Sequence, residues 1–106
     1  MNVINTKLVS EKMMSEPVDN QGYYVRMQGD AMLDAGINDN DLLRVTPGAH
    51  PEEGSIVLAM VRQDLVIRRY FKNNGRTILM ADNVDYPSML IEEYEAIEIC
   101  GVVEPA

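Results

Sequence analysis

Few side chains in this 106-residue chain are of a type and spacing that could do chemistry. The tetrapeptide Gly29-Asp30-Ala31-Met32 combines a turn-forming glycine with an acid, but Ala31 has no atom that could attack a carbonyl. The run Val66-Ile67-Arg68-Arg69-Tyr70 supplies two guanidinium groups, which stay charged at any relevant pH and so cannot serve as a general base. His50, between Ala49 and Pro51, is the only histidine and has no spaced Cys or His partners. It reads as a solvated loop residue, and no metal site or other cofactor is expected. Cys100 is the only cysteine, which excludes an internal disulfide; it reads as a small buried hydrophobe rather than a reactive thiol.

The elements that must position these residues are mostly strands. Ile56 to Val61 is a continuous apolar run too short for a helix, consistent with a buried strand. After Arg62-Gln63-Asp64, Leu65 to Phe71 is rich in β-branched and aromatic residues, so the two runs predict a hairpin. Asn74-Gly75 supplies a turn before Thr77 to Met80, because both residues accept positive φ at little cost. Tyr23 to Met27, Asp41 to Thr46 and Ile97 to Val103 complete the set. The one helical turn is expected at Ala31 to Ala35, with Asp30 as its capping residue.

At 46% hydrophobic content and without a low-complexity linker, the chain fits one small globular domain. Residues 22–106 are expected to form the core domain and residues 1–21 an N-terminal arm. No apolar run is long enough to span a bilayer and no basic-then-apolar leader is present, so a cytoplasmic setting without membrane contact is expected. The formal net charge of −8 argues against direct nucleic-acid binding, which needs a basic face to release counterions. Met27, Met32, Met60, Met80 and Met89 read as core filling. Met13 and Met14 with Val3, Ile4, Leu8 and Val9 suggest an arm that packs on a partner subunit or on the domain surface. Glu92, Glu93, Glu95 and Glu98 read as a solvated rim.

Five segments in order resemble the LexA/UmuD family of S24 peptidase-like proteins over roughly residues 23 to 103. They are Gly29-Asp30-Ala31-Met32, Ile37 to Leu43, Glu53 to Ala59, Leu79 to Pro87 and Ile97 to Val103. The resemblance implies a mainly β, β-clip fold of short hairpins with one helical turn, as in the LexA/UmuD C-terminal domain, preceded by the arm. In the family a Gly-x-Ser-Met turn carries a nucleophilic serine and a lysine on a later strand activates it. Here Ala31 stands at the nucleophile position and Arg68 at the base position, leaving Gly29, Asp30 and Met32 as a vestigial cleft. Arg68 is expected to fill the site through an ion pair or hydrogen bonds. Residues 1–28 contain no Ala-Gly or Cys-Gly pair of the kind the family cuts. Ser55 and Ser88 make poor substitutes, because Lys7, Lys12 and Lys72 lie outside the matched base position.

The resemblance further implies a homodimer of the UmuD branch, since residues 1–21 are too few to hold a helix-turn-helix. Its partners would be a Y-family translesion polymerase subunit and the recombinase filament, in a noncatalytic accessory role in the SOS response. An alternative is a pseudo-enzyme that modulates an SOS or phage repressor by mixed dimerisation. A third is an engineered inactive variant of a self-cleaving peptidase.

Overall fold

The computed structural model describes residues 22–106, so the arm expected at residues 1–21, with Met13 and Met14, lies outside the described residues. Seven strands form one antiparallel sheet: β1 (Tyr23–Arg26), β2 (Leu42–Thr46), β3 (Ile56–Val61), β4 (Asp64–Asn73), β5 (Arg76–Met80), β6 (Met89–Ile91) and β7 (Ile97–Pro105). Their spatial order is β1-β2-β7-β3-β4-β5-β6. The mainly β fold expected from the pattern is therefore present. The only helical element among the described residues is a 3-10 turn at Leu33–Ala35, shorter than the turn expected at Ala31 to Ala35.

The strands follow from the residue pattern. In β2 and β5 alternate side chains turn inward, Leu43 and Val45 in one, Thr77 and Leu79 in the other, as period-two alternation requires. In β3 and β4 burial runs through consecutive residues, Val57 to Ala59 and Leu65 to Arg68, so these strands are covered on both faces. The non-strand residues Met27, Ala31, Met32 and Ile37 join the strand side chains in a single core cluster. Met27 and Met32 fill the core as expected, whereas Met80 is 40% exposed because it ends an inward-outward alternation on the outer face.

Both predicted hairpins are present. Asn74 (φ 52°) and Gly75 (φ 82°) make the β4–β5 turn. The β3–β4 turn is built on Arg62 (φ 49°) and Gln63 (φ 74°), two residues that enter the left-handed region at a steric cost. Strand β6 was not expected, since three residues carry no readable periodicity.

Strand β7, third in this order, is internal and pairs with β2 on one side and β3 on the other. Leu58 lies opposite Gly101 and Ala59 opposite Ile99, so Cys100 is the extra residue of a β-bulge. It is half-buried, and burial pushes its thiol pKa up, away from a reactive thiolate. Gly101 sits where β7 crosses β2 closely: a Cβ there would lie 2.6 Å from both the Thr46 carbonyl oxygen and Val45 Cγ1. Gly101→Ala is expected to destabilise the protein by about 1–3 kcal/mol, because backbone and a core side chain must both give way. A denaturant midpoint unchanged from the parent would show that the β2–β7 contact is slack.

Candidate functional site

Local backbone chemistry builds the turn that carries Ala31. Gly29 takes φ 87°, and its N–H donates to Asp39 Oδ1 at 2.7 Å. The chain then enters the 3-10 turn, with the Leu33 N–H donating to the Asp30 carbonyl at 3.2 Å. Ala31 and Met32 are fully buried. The Ala31 methyl group therefore packs in the core and presents no polar atom.

A second segment, running from the end of β5 through Pro87, is sewn to this turn. The Asp34 N–H donates to the Asp82 carbonyl at 2.8 Å, and the Asp82 N–H approaches Met32 Sδ at 3.4 Å. Asn83 Nδ2 donates to the Asp30 carbonyl at 2.7 Å, and the Tyr86 hydroxyl donates to Asp30 Oδ1 at 2.7 Å. The Asp30 side chain thus holds Tyr86 rather than capping the helical turn, which has no side-chain cap. A phenol offers a short, strong donor to a carboxylate, and the alternative cap is weak on so short a turn.

The third segment is β4, which carries two arginines with opposite fates. Arg69 is side-on to Asp82: Nε lies 3.1 Å from Oδ1 and Nη2 2.6 Å from Oδ2, while Nη1 donates to the Gly54 carbonyl at 2.6 Å. The hydrogen bond to Asp82, with the attraction of its charge, raises the Arg69 pKa further. Arg68 is only 5% exposed and makes one hydrogen bond among the described residues, from Nη1 to the Ile67 carbonyl at 2.9 Å. Its Nε is buried without an acceptor. The guanidinium lies over the Tyr86 ring, 5.6 Å from the centroid. Desolvation lowers its pKa, partly offset by Tyr86. Of the ion pair or hydrogen bonds expected for Arg68, one hydrogen bond is present and, among the described residues, no ion pair; Asp82 is held by Arg69.

Tyr86 is the residue that joins these parts, with its hydroxyl on Asp30 beside Ala31 and its ring under Arg68. The sequence placed it in a family-like segment but gave no reason to assign it to the site. The hydrogen bond to Asp30, then burial and the charge of Asp30, raise the Tyr86 pKa above the ordinary 10.0. A folded-state pKa raised above the unfolded one stabilises fully below the unfolded value and loses that contribution as pH rises through the folded value. The stability difference between the parent and Tyr86→Phe is therefore expected to be constant through neutral pH and to shrink above about pH 10. A difference that is flat to the highest pH at which the protein folds would rule out the Asp30–Tyr86 bond as its source.

Other candidates fall away from this site. Ser55 Oγ accepts the Glu52 N–H at 3.0 Å and serves a turn, and Ser88 is an exposed loop residue. His50 is exposed. No group of His, Cys, Asp or Glu suited to a metal ion occurs among the described residues. A broad open groove lined by Met60, Arg62, Tyr94, Glu95, Ile97 and Glu98 contains none of Ala31, Arg68 and Tyr86. Within the acidic rim, Glu95 pairs with Arg62 at 2.9 Å and Glu92 with Arg76 at 3.2 Å, so two of its four members are partnered. No helix among the described residues is long and apolar enough to cross a membrane.

Known proteins resemble this chain in sequence. The Peptidase S24-like family profile matches residues 3–104, nearly the whole chain. The chain belongs to the S24 peptidase-like family. It is 33% identical over 81 residues to a LexA repressor of Psychromonas ingrahamii, covering 76% of this chain and 39% of that protein. It is 34% identical over 80 residues to a LexA repressor of Cupriavidus taiwanensis, covering 76% and 37%. For a LexA repressor of Clostridium perfringens the figures are 31% over 88 residues, 78% and 43%. The chain thus spans about two fifths of the length of these relatives.

Proposed function

We propose that this protein is a noncatalytic, UmuD-like member of its family, a cytoplasmic homodimer that serves translesion DNA synthesis in the SOS response through protein–protein binding. One observation carries the reading: a fully buried alanine methyl and a buried, permanently charged arginine stand where the family's resemblance puts nucleophile and base. Neither group can take part in acyl transfer, since one has no lone pair to attack with and the other no lone pair to accept a proton. The surrounding turn is nevertheless kept in order by the bonds of Gly29, Asp30, Asn83 and Tyr86, which supports retention of the scaffold for binding.

In this reading the partners are a Y-family polymerase subunit and the recombinase filament. The test is affinity capture of the tagged protein from its host after DNA damage, followed by mixing with the purified candidates. Recovery of the polymerase or recombinase, with direct binding in the mixture, is the expected result; neither binding would end the reading. A second reading rests on the relatives being repressors. In it the protein pairs with an SOS or phage repressor and alters its cleavage by mixed dimerisation, and a heterodimer on mixing purified proteins is its signature.

A further inference from the structure

The two neighbouring arginines of β4 differ in one respect that the fold leaves unexplained. A guanidinium offers five N–H donors in a fixed fork, and its Nε/Nη2 edge matches the two oxygens of a carboxylate. Arg69 uses that edge on Asp82, with Nε to Oδ1 and Nη2 to Oδ2. Arg68 is more deeply buried, yet among the described residues its only hydrogen bond comes from Nη1, and its Nε has no acceptor. A buried guanidinium whose charge nothing neutralises costs several kcal/mol, which on its own selects against the residue.

The surroundings define what would complete the edge. The Tyr86 ring covers the Arg68 guanidinium from one side. The nearby acid, Asp30, is already bonded to the Tyr86 hydroxyl, and Arg69 is committed to Asp82. A single positive charge is available, which suits a monoanion and not a phosphate dianion. The Ala31 and Met32 side chains, bonded through their turn to the same Tyr86 segment, are apolar and fully buried. Tyr86 is only part-buried and is tied down by one side-chain hydrogen bond, so it is the piece of the cover able to move aside.

We propose that Arg68 is a carboxylate-binding residue, taking the two oxygens of a planar carboxylate side-on through Nε and Nη2, with Tyr86 as the movable cover of the site. The ligand chemistry is that of a chain-terminal carboxylate or a small free carboxylic acid. The inference does not depend on the accessory role proposed above, and failure of either leaves the other standing.

The test follows the backbone amide resonances of Asp30, Asn83 and Tyr86, present in every variant, and in the parent also the Arg68 Nε–H, by NMR in the full chain while adding acetate, N-acetyl-dialanine, its C-terminal amide, or inorganic phosphate. A saturable shift with N-acetyl-dialanine, and binding at least about tenfold weaker for the amide, is the expected result, as one charge-assisted bidentate pair implies. Affinity for the dipeptide above that for acetate identifies a chain terminus as the source; equal affinity identifies a small acid. Arg68→Lys keeps the charge but loses the fork and is expected to bind at least about tenfold more weakly. Arg68→Met is expected to abolish the response while remaining folded. Binding that survives in Arg68→Met, an amide that binds as well as the acid, phosphate that binds more tightly than the carboxylates, or a non-saturating drift from an adventitious ion only would each overturn the proposal.

Discussion

Ala31→Ser combined with Arg68→Lys is expected to cut a supplied Ala-Gly peptide, while the parent chain and both single variants leave it intact. Each substitution supplies one half of a proton-transfer pair. Serine at position 31 introduces a hydroxyl but no base, because Arg68 remains protonated. Lysine at position 68 introduces an amine whose pKa falls on burial, in the environment that already lowers that of Arg68. General-base assistance contributes about 10²–10⁴-fold, so the double variant is expected to exceed Ala31→Ser by at least the lower figure. Chromatographic assay of the two product peptides reads the outcome. An inactive but folded double variant would mean that the cleft itself has shifted, since about 1 Å of misplacement costs on the order of 100-fold.

The second large effect is on stability. Arg68→Met is expected to raise the unfolding free energy by about 1–3 kcal/mol, the gain from replacing a buried charge by an apolar side chain of similar length, less the lost contact with Tyr86. The sign follows from the pKa. Arg68 is shifted below its ordinary 12.5, so the folded state disfavours the charged form, and the penalty holds at every pH below the folded value. The gain is therefore expected to be level from mildly acid to mildly alkaline pH. Denaturant unfolding at several pH values measures it, and a loss of stability instead would show that the charge is compensated in solution. If carboxylate occupies the site, saturating ligand will narrow the gap between the two proteins, because only the parent binds it.

Most strands were readable in the chain because apolar alternation and short apolar runs are local signals. The Asn74-Gly75 turn was readable for the same reason. Arg62-Gln63 makes an equivalent turn without glycine or asparagine; only the spacing between two good strands announced it. Strand order was not legible, since the pairing of β2 with β7 joins residues about half the chain apart in sequence. At the site, Ala31 and Arg68 stood out by what they lack, a reactive oxygen and an ionisable amine. Tyr86 did not, because its bond to Asp30 spans 56 positions and a lone tyrosine in a loop carries no spacing rule. The same contact explains why the expected Asp30 cap is absent: a local preference yielded to a distant donor. Arg68 was expected to make an ion pair or hydrogen bonds and makes one hydrogen bond; that Arg69 is the residue on Asp82 is not legible, since neighbouring β4 residues face opposite sides.

The position of β7 sets the order in which this sheet can assemble. The β1–β2 hairpin and the β3-to-β6 meander are each made of sequence neighbours and can zip locally. Neither is finished until β7, which follows all six in sequence, slots between them and covers two inner edges at once. Until then each block offers a row of unpaired amides and carbonyls to any extended chain, including the β7 of another copy. Refolding is thus expected to have its slow, concentration-sensitive phase at this closure, with exchange of β7 between molecules as the competing trap.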